Sequence, residues 1–151
     1  MKTERRSVIK RLFASVVGVL GVNAIAQAET TSAGKEAFNI TKQDDVPLFS
    51  GSTKYNGLVF VAGKGAHFEG DVKAHADHVL KELEAELKKA GSSMEKVLKV
   101  NVYLADLADY KAMNEVYQGR FGSKPPVRTT VATYGGVPGN SLVEMDCIAY
   151  V

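Results

Sequence analysis

The chain has 151 residues, 45% hydrophobic and 24% charged, which is typical of one soluble globular domain with a sizeable core. Its formal net charge is +2, but the first eleven residues carry five basic side chains against Glu4 alone, and subtracting their net +4 leaves −2 for the rest. A weakly acidic body gives no support to nucleic-acid binding. Because Cys147 is the only cysteine, composition excludes an intrachain disulfide and a cysteine metal cluster within one chain.

Residues 1–28 have the three parts of an export signal: a basic start, an apolar run over 12–26 and the small-x-small site Ala26-Gln27-Ala28. The start reads Arg5-Arg6-Ser7-Val8-Ile9-Lys10 and resembles a twin-arginine signal, which exports folded proteins. We therefore expect cleavage before Glu29, a periplasmic or otherwise exported protein, and no stable membrane association after cleavage. An uncleaved N-terminal anchor is the alternative.

Residues 29–43 are polar and have no hydrophobic period, which predicts a flexible N-terminal arm. Order is expected to begin near Asp44, so the folded domain is predicted to cover residues 44–151.

The domain is predicted to open with a short edge strand at 46–49, because Pro47 cannot donate to a central ladder. A turn region at 51–57 then precedes 58–62, an apolar run that indicates a buried strand. The following Gly63-Lys64-Gly65 allows close backbone approach to a ligand, although such a sequence is more often a simple turn. No nucleotide-binding glycine motif is present in the sequence.

Residues 71–90 predict an amphipathic helix, since apolar residues recur at steps of three and four between Asp71 and Gly91. On the side expected to face solvent, Asp71, His75 and His78 have a spacing that could hold a metal ion. They lack the general-base Glu of an HExxH motif, so a solvated helix face is the favoured interpretation and no metal site is predicted.

Residues 97–104 alternate and predict a strand whose core face carries Leu98, Val100, Val102 and Leu104. A second helix is predicted over 109–121, ending before Gly122. Asn114 lies beside its apolar stripe, where an asparagine is usually a solvent-facing or capping residue.

Two strands, at 128–134 and 142–150, close the chain. In the second, both alternating sets contain apolar residues, so both faces of the sheet carry hydrophobic surface. A small sheet with two helices on one face would leave the other face partly apolar, which favours burial against another copy of the chain.

Arg128 and Glu144 supply the chemistry of these two strands. An arginine presents a planar fork of donors that suits a substrate carboxylate, and a partly buried glutamate can orient or deprotonate water. We expect the two side chains to face one shared hollow. The competing interpretation is a structural ion pair, or two unrelated strand residues.

The body resembles the Rid family, formerly called YjgF, over about residues 46–151. The specific part is the segment from Pro126-Val127-Arg128-Thr129-Thr130-Val131, through Gly136-Val137-Pro138, to Val143-Glu144-Met145-Asp146-Cys147-Ile148-Ala149. Supporting matches are Leu58-Val59-Phe60-Val61-Ala62-Gly63, Ala90-Gly91, Val102-Tyr103-Leu104-Ala105-Asp106 and Met113-Asn114-Glu115-Val116-Tyr117.

The resemblance implies an α+β fold of the chorismate-mutase-like kind, assembled as a homotrimer with sites in clefts between subunits. It implies that Arg128 grips a substrate carboxylate and that Glu144 positions the hydrolytic water. Asn114 matches a pocket residue of the family, and Gly63 lies where family backbone approaches the ligand. The implied chemistry, hydrolysis of imines and enamines, uses no metal or organic cofactor.

Three positions depart from the family pattern. The usual Ser-Gly-Gln after the buried strand is Ala62-Gly63-Lys64 here, the usual pocket tyrosine is Phe49, and Thr130 stands where some members carry cysteine. Losing a hydroxyl and gaining a lysine changes how a pocket treats polar substrates. We therefore count Lys64, Phe49 and Thr130 among the candidate substrate-binding residues.

The resulting hypothesis is an exported imine/enamine deaminase that converts 2-imino acids to 2-oxo acids and ammonia. The alternative is a non-catalytic trimer that binds small carboxylates or acts as a holdase outside the cytoplasm. An RNA-directed activity, known for some relatives, is disfavoured by the weakly acidic body and the absence of a basic aromatic patch in the sequence.

Overall fold

The computed structural model describes residues 34–151, which form one sheet of six strands and two helices. The strands are β1 (Glu36–Gln43), β2 (Val46–Tyr55), β3 (Leu58–Gly65), β4 (Val97–Leu104), β5 (Val127–Ala132) and β6 (Val143–Tyr150). The helices are α1 (Val72–Lys89) and α2 (Tyr110–Tyr117). The sheet order is β1-β2-β3-β6-β4-β5, with β4 and β5 parallel and all other neighbours antiparallel.

Helix α1 covers one face of the sheet, as predicted. It begins where the Asp71 carboxylate accepts a hydrogen bond from the backbone N–H of Ala74, and Lys88 and Lys89 lie at its C-terminal end, where the helix dipole favours cations. The buried stripe of the helix faces β3 and β6 and consists of Val72, His75, Ala76, Val79, Leu80, Leu83, Glu86 and Leu87. We call the covered side of the sheet the helix face.

We call the other side of the sheet the open face. It carries apolar residues that no helix of residues 34–151 covers. Along β6, Val143, Met145, Cys147 and Ala149 are buried on the helix face, so the alternating residues Glu144, Asp146, Ile148 and Tyr150 belong to the open face. Leu58 and Phe60 of β3 lie on the same open face and are exposed. The predicted two-sided hydrophobicity is thus confirmed.

The N-terminal part of the domain differs from the prediction. The flexible arm expected over 29–43 is replaced, from Glu36 onward, by strand β1, and the turn expected over 51–57 is mostly strand, because β2 continues to Tyr55. Because β1 and residues 50–55 of β2 have no hydrophobic period, neither was expected to be strand, and they are stabilised by pairing. The strand predicted at 46–49 is confirmed as the start of β2, but its predicted edge position is wrong, because β1 lies outside it.

The second helix is shorter than predicted: α2 stops at Tyr117 instead of reaching residue 121. Gln118 has an extended ψ of 131°, and Gly119 has a φ of +80°, so the chain leaves the helix one turn early. Leu98 was expected in the core but is exposed, because a register shift between Val97 and Lys99 turns it outward.

His75 was expected on the solvent side of its helix but is buried. Its Nε2 donates to the backbone carbonyl of Phe68 at 2.8 Å, and its Nδ1 accepts from the backbone N–H of Leu142 at 3.1 Å. Both ring nitrogens are thereby used to hold loops together.

Residues 34–151 contain no group of His, Cys, Asp or Glu arranged to hold a metal ion. Within that range no helix combines the length and hydropathy needed to cross a bilayer. The export signal predicted at 1–28 lies outside the described residues.

Candidate active site

Strand β5 places Arg128 beneath helix α2. A parallel pair such as β4–β5 requires a crossover connection, and α2 lies within that connection. Arg128 is paired with Val100 and Thr130 with Val102, and both valines are fully buried on the helix face. Arg128 and Thr130 therefore share the helix face.

The Arg128 guanidinium is held by three side chains of α2. Its Nη1 donates to Asn114 Oδ1 at 2.8 Å and its Nη2 donates to Tyr110 Oη at 3.1 Å. Its Cζ lies 4.6 Å from the ring centroid of Tyr117 and 5.6 Å from that of Tyr110. The oxygens of Asn114 and Tyr110 and the rings of Tyr110 and Tyr117 orient the guanidinium without neutralising its charge. The other N–H groups of Arg128 can donate to an anion.

Two hydroxyls near this arginine are buried without a hydrogen-bond partner among the described residues, Tyr117 Oη and Thr130 Oγ1. Burial raises the pKa of Tyr117 to about 12, even though the Arg128 charge opposes the rise, so the phenol stays protonated. Asn114 and Tyr117 also line a cavity of about 360 Å³ that extends to Pro125. We call Arg128, Asn114, Tyr110, Tyr117 and Thr130 the Arg128 half-site.

Glu144 lies on the open face, paired with Tyr103 of β4 and Gly65 of β3. A hollow of about 160 Å³ adjoins its side chain and is lined by Tyr103, Thr133, Val137, Pro138 and Glu144. No hydrogen bond or ion pair from residues 34–151 engages its carboxylate. The acid is therefore free to accept a hydrogen bond from water.

Gly63 creates the space that Glu144 occupies. It lies at the register shift between Val61 and Lys64, and a Cβ built on Gly63 would overlap the Glu144 carboxylate. We call Glu144, Gly63, Tyr103, Thr133, Val137 and Pro138 the Glu144 half-site.

The two half-sites lie on opposite faces of the sheet. Strand β4 separates β5 from β6, and Arg128 faces α2 whereas Glu144 faces away from it. Within one chain the two side chains therefore do not face the same hollow, and their convergence in a cleft between copies stays a prediction. Arg128 and Glu144 form no ion pair with each other in the described chain, so the ion-pair alternative is wrong, whereas the alternative of two unrelated strand residues is not tested.

The family model described as Endoribonuclease L-PSP matches residues 43–151. The chain belongs to this family, the Rid (YjgF) proteins. It is 38% identical over 109 residues to a RutC family protein of Pyrococcus abyssi, covering 68% of this chain and 85% of that protein. It is 34% identical over 108 residues to the chloroplastic Reactive Intermediate Deaminase A of Arabidopsis thaliana, covering 67% of this chain and 57% of that protein.

Solved Rid structures share the fold. A YjgF-family protein from Neisseria meningitidis superposes with a TM-score of 0.69 at 26% identity, covering 77% of this chain and 93% of that one. The chorismate-mutase-like α+β fold is thereby confirmed, and homotrimers are typical of Rid proteins.

Two positions that depart from the Rid pattern lie outside both half-sites in this chain. The Lys64 ammonium points to the helix face and pairs at 3.5 Å with Glu86 of α1, a side chain that is only 3% exposed. Ser52 donates to the same carboxylate at 2.8 Å, as does Asn39 of β1. Phe49 lies on β2 opposite Thr41 and is 55% exposed.

Sequence reasoning missed three tyrosines of this Rid protein. Tyr110, Asn114 and Tyr117 recur at steps of four and three, so the stripe that suggested Asn114 could have indicated both tyrosines of α2. Tyr103 was assigned to the polar side of its strand, but nothing in the sequence pairs it with Glu144. Cys147 is no candidate nucleophile, because burial raises the pKa of its thiol to about 12.

Proposed function

We propose that this protein is an exported Rid-type deaminase that hydrolyses 2-imino acids, and enamines that tautomerise to them, to 2-oxo acids and ammonia. Its active site lies between neighbouring copies in a homotrimer, with Arg128 from one copy and Glu144 from the next. The observation that carries the proposal is the placement of a prepared cation and an unengaged acid on opposite faces of one sheet. Each half-site suits one part of the reaction, and neither is complete.

The Arg128 half-site suits the carboxylate of a 2-imino acid. Asn114 and Tyr110 orient the guanidinium, so little side-chain freedom remains to be lost on binding. Hydrogen bonds to charged groups contribute about 1.5–3 kcal/mol each, and a bidentate pair also fixes the direction of the ligand. The buried hydroxyl of Thr130 offers a further polar contact beside the arginine.

The Glu144 half-site suits the attack of water. The carboxylate takes a proton from water as the oxygen bonds to the carbon of the protonated C=N group, giving a tetrahedral amino alcohol. The nitrogen is then protonated, the C–N bond breaks to release ammonia, and the hydroxyl loses its proton as C=O forms. The reaction consumes one water and needs no metal or organic cofactor.

Two further observations support the proposal. The Arabidopsis relative is named Reactive Intermediate Deaminase A. Export is supported by the basic start, the apolar run and the small-x-small site of residues 1–28. If the twin-arginine route is used, replacing Arg5 and Arg6 by lysine should leave the protein in the cytoplasmic fraction.

Ammonia release from freshly generated 2-iminopropanoate tests the activity. We expect the purified protein to accelerate it, Arg128→Lys to raise KM because the planar fork is lost, and Glu144→Gln to lower kcat by at least about 100-fold. Glu84→Gln, which alters an exposed carboxylate of α1, is the matched control and should keep full activity. No acceleration by the unaltered protein, or full activity of Glu144→Gln, would overturn the proposal.

The competing function is non-catalytic binding of small carboxylates, or holdase activity, by the same trimer. It is favoured by two departures from the Rid pattern: Lys64 is ion-paired with Glu86, and Phe49 lacks the hydroxyl of the usual tyrosine. Pyruvate binding measured by calorimetry, unchanged in Glu144→Gln and without turnover of any imine, would establish it. The ribonuclease activity named in the family description is not proposed, because the body outside the first eleven residues has a formal charge of −2.

A further inference from the structure

The segment that joins β5 to β6 passes beside the Glu144 half-site. Strand β4 lies between those two strands in the sheet, so residues 133–142 must cross the end of β4, next to Glu144. The backbone N–H of Thr133 donates to the carbonyl of Leu104, the last residue of β4, at 2.9 Å. At the other end, the Leu142 carbonyl accepts a hydrogen bond at 3.0 Å from the residue that follows Leu104. Both ends of the segment are therefore attached to the end of β4.

A tight turn within this segment holds Tyr134 at its corner. The Thr133 hydroxyl donates to the Gly136 carbonyl at 2.9 Å, and the Gly136 backbone N–H donates to the Thr133 carbonyl at 3.4 Å, so residues 133–136 close on themselves. Gly135 has a φ of +83°, which a type II turn requires at its third residue and which glycine adopts without strain. The turn thus fixes the backbone of Tyr134 in one conformation.

The Tyr134 side chain is fully exposed, although the turn that carries it belongs to the wall of the Glu144 hollow. Thr133 precedes it and Val137 follows the turn, and both line that hollow. No aromatic ring of residues 34–151 stacks on the Tyr134 ring. Because aromatic rings contribute mainly through burial, a ring that an ordered turn holds at the rim of a hollow is placed to contact something outside its own chain.

The hollow has an acceptor but no free hydrogen-bond donor among the side chains that line it. Glu144 supplies the acceptor. The hydroxyl of Tyr103 donates to Asp146 at 2.9 Å, and the hydroxyl of Thr133 donates to backbone carbonyls. Each hydroxyl has one proton, and the remaining wall residues are a valine and a proline. The phenol of Tyr134 is therefore the donor that lies beside the hollow and is not already engaged by the described chain.

We propose that Tyr134 is a substrate-contacting residue: its ring covers the rim of the Glu144 hollow when a 2-imino or 2-oxo acid is bound, and its hydroxyl donates to the 2-oxo oxygen. This inference rests on the proposed function for the position of the site and for the ligand. A tyrosine suits the task because its ring excludes water from one side of the ligand while its hydroxyl remains a donor.

The variant Tyr134→Trp provides a direct test, because the sequence contains no tryptophan and the variant carries a single indole. We would add pyruvate to the trimeric variant and record its emission and its quenching by acrylamide. Binding should shift the emission to shorter wavelength and reduce quenching, since the ring leaves water. Tyr55→Trp is the matched control: Tyr55 is an exposed tyrosine paired with Leu58, which pairs with Tyr150 at the end of β6 far from Glu144. Its emission should not respond to pyruvate.

Steady-state kinetics with 2-iminopropanoate provide the second readout. Tyr134→Phe keeps the ring and loses the donor, so it should raise KM by about 3- to 10-fold, the range expected for one lost hydrogen bond. Tyr134→Ala loses both and should raise KM by more than Tyr134→Phe does. Because the side chain is exposed, neither variant should lower the melting temperature. A purely structural role would lower the melting temperature and leave KM unchanged.

The outcomes separate this inference from the proposed function. Emission of Tyr134→Trp that does not change with pyruvate, or a wild-type KM in Tyr134→Ala, would overturn the inference. If the unaltered protein releases ammonia while that emission stays constant, the inference fails alone. If the emission shifts as expected and the unaltered protein releases no ammonia, the deaminase proposal fails while Tyr134 remains a contact of a carboxylate-binding site.

Discussion

Placing Arg128 and Glu144 on opposite faces of one sheet predicts that two inactive variants restore activity when they assemble together. We would coexpress Arg128→Ala and Glu144→Gln with different affinity tags and purify trimers that carry both tags. Each variant alone should be inactive, because every site in its homotrimer lacks either the cation or the acid. A mixed trimer pairs the Arg128 of one variant with the Glu144 of the other.

The activity expected of a mixed trimer follows from the closed ring of three subunits. A homotrimer has three equivalent head-to-tail junctions, and each junction joins the Arg128 half-site of one copy to the Glu144 half-site of the next. In a trimer containing both variants, one junction of the three joins two intact halves. Purified mixed trimers should therefore have about one third of the wild-type kcat per trimer, with an unchanged KM.

Ammonia release from 2-iminopropanoate measures this recovery. Mixing the two purified homotrimers without subunit exchange is the control, and it should give no activity. The reasoning would be refuted by mixed trimers that are as inactive as their parents, since a site built within one chain cannot be restored by mixing. A monomeric protein at micromolar concentration would refute it as well.

Three further predictions concern the half-site and the core. Gly63→Ala should lower kcat by at least about tenfold with little change in melting temperature, because the new Cβ displaces the Glu144 carboxylate; full activity would contradict this. Burial alone would raise the pKa of Glu86, but hydrogen bonds from Ser52 and Asn39 and the charge of Lys64 outweigh it and lower that pKa from 4.5. The Glu86 carboxylate therefore stabilises the fold above pH 4.5, and this contribution is lost as the pH falls through the folded-state pKa. Glu86→Gln should therefore lose stability at pH 7 and show a smaller further loss below pH 4.5 in urea unfolding, whereas identical pH profiles would contradict the assignment. Leu83→Ala should cost about 2–5 kcal/mol of unfolding free energy, whereas exposed Leu107→Ala should change it by less than about 0.5 kcal/mol; equal losses would place Leu83 outside the core.

The central elements could be predicted because each carries a strong local signal. Helix α1 combines a long apolar stripe with an N-terminal Asp71 and a C-terminal Gly91, and strand β6 alternates over eight residues without interruption. The open face of β6 followed directly from that alternation. The hydrophobicity of that face indicates a partner surface from the sequence alone.

Beyond the strand expected at 46–49, β1 and β2 could not be predicted, because their stability comes from distant residues. The β1–β2 hairpin is polar along much of its length, and Asn39 and Ser52 are held by the Glu86 carboxylate of α1, 47 and 34 residues away. Helix α2 was overextended for a different reason: the apolar stripe continues to Phe121, which is buried, although the backbone has left the helix at Gly119. A buried stripe alone does not fix where a helix ends.

The position of the site was the least predictable feature. Whether Arg128 and Glu144 share a face depends on two registers: that of β5 with β4, which is parallel, and that of β6 with β4, which is antiparallel. No local sequence pattern determines either register. A one-residue slip in either strand would have brought both side chains to the same face. Residue types suggest the chemistry, and the long-range topology determines which face of the sheet each side chain occupies.

Under the proposed function, the separation of the two half-sites makes catalysis depend on assembly. A cation and an acid in one hollow of one chain would attract each other, and the resulting ion pair would have to be broken before a substrate could bind. On opposite faces they cannot neutralise each other, so the guanidinium keeps its donors and the carboxylate keeps its lone pairs until a second copy arrives. Leu58, Phe60 and Tyr150 are exposed apolar residues of the open face, and their burial would supply a hydrophobic driving force for the proposed trimer. If the proposed trimer buries this face, the surface that stabilises it also completes the proposed site, and substitutions that weaken one are expected to impair the other.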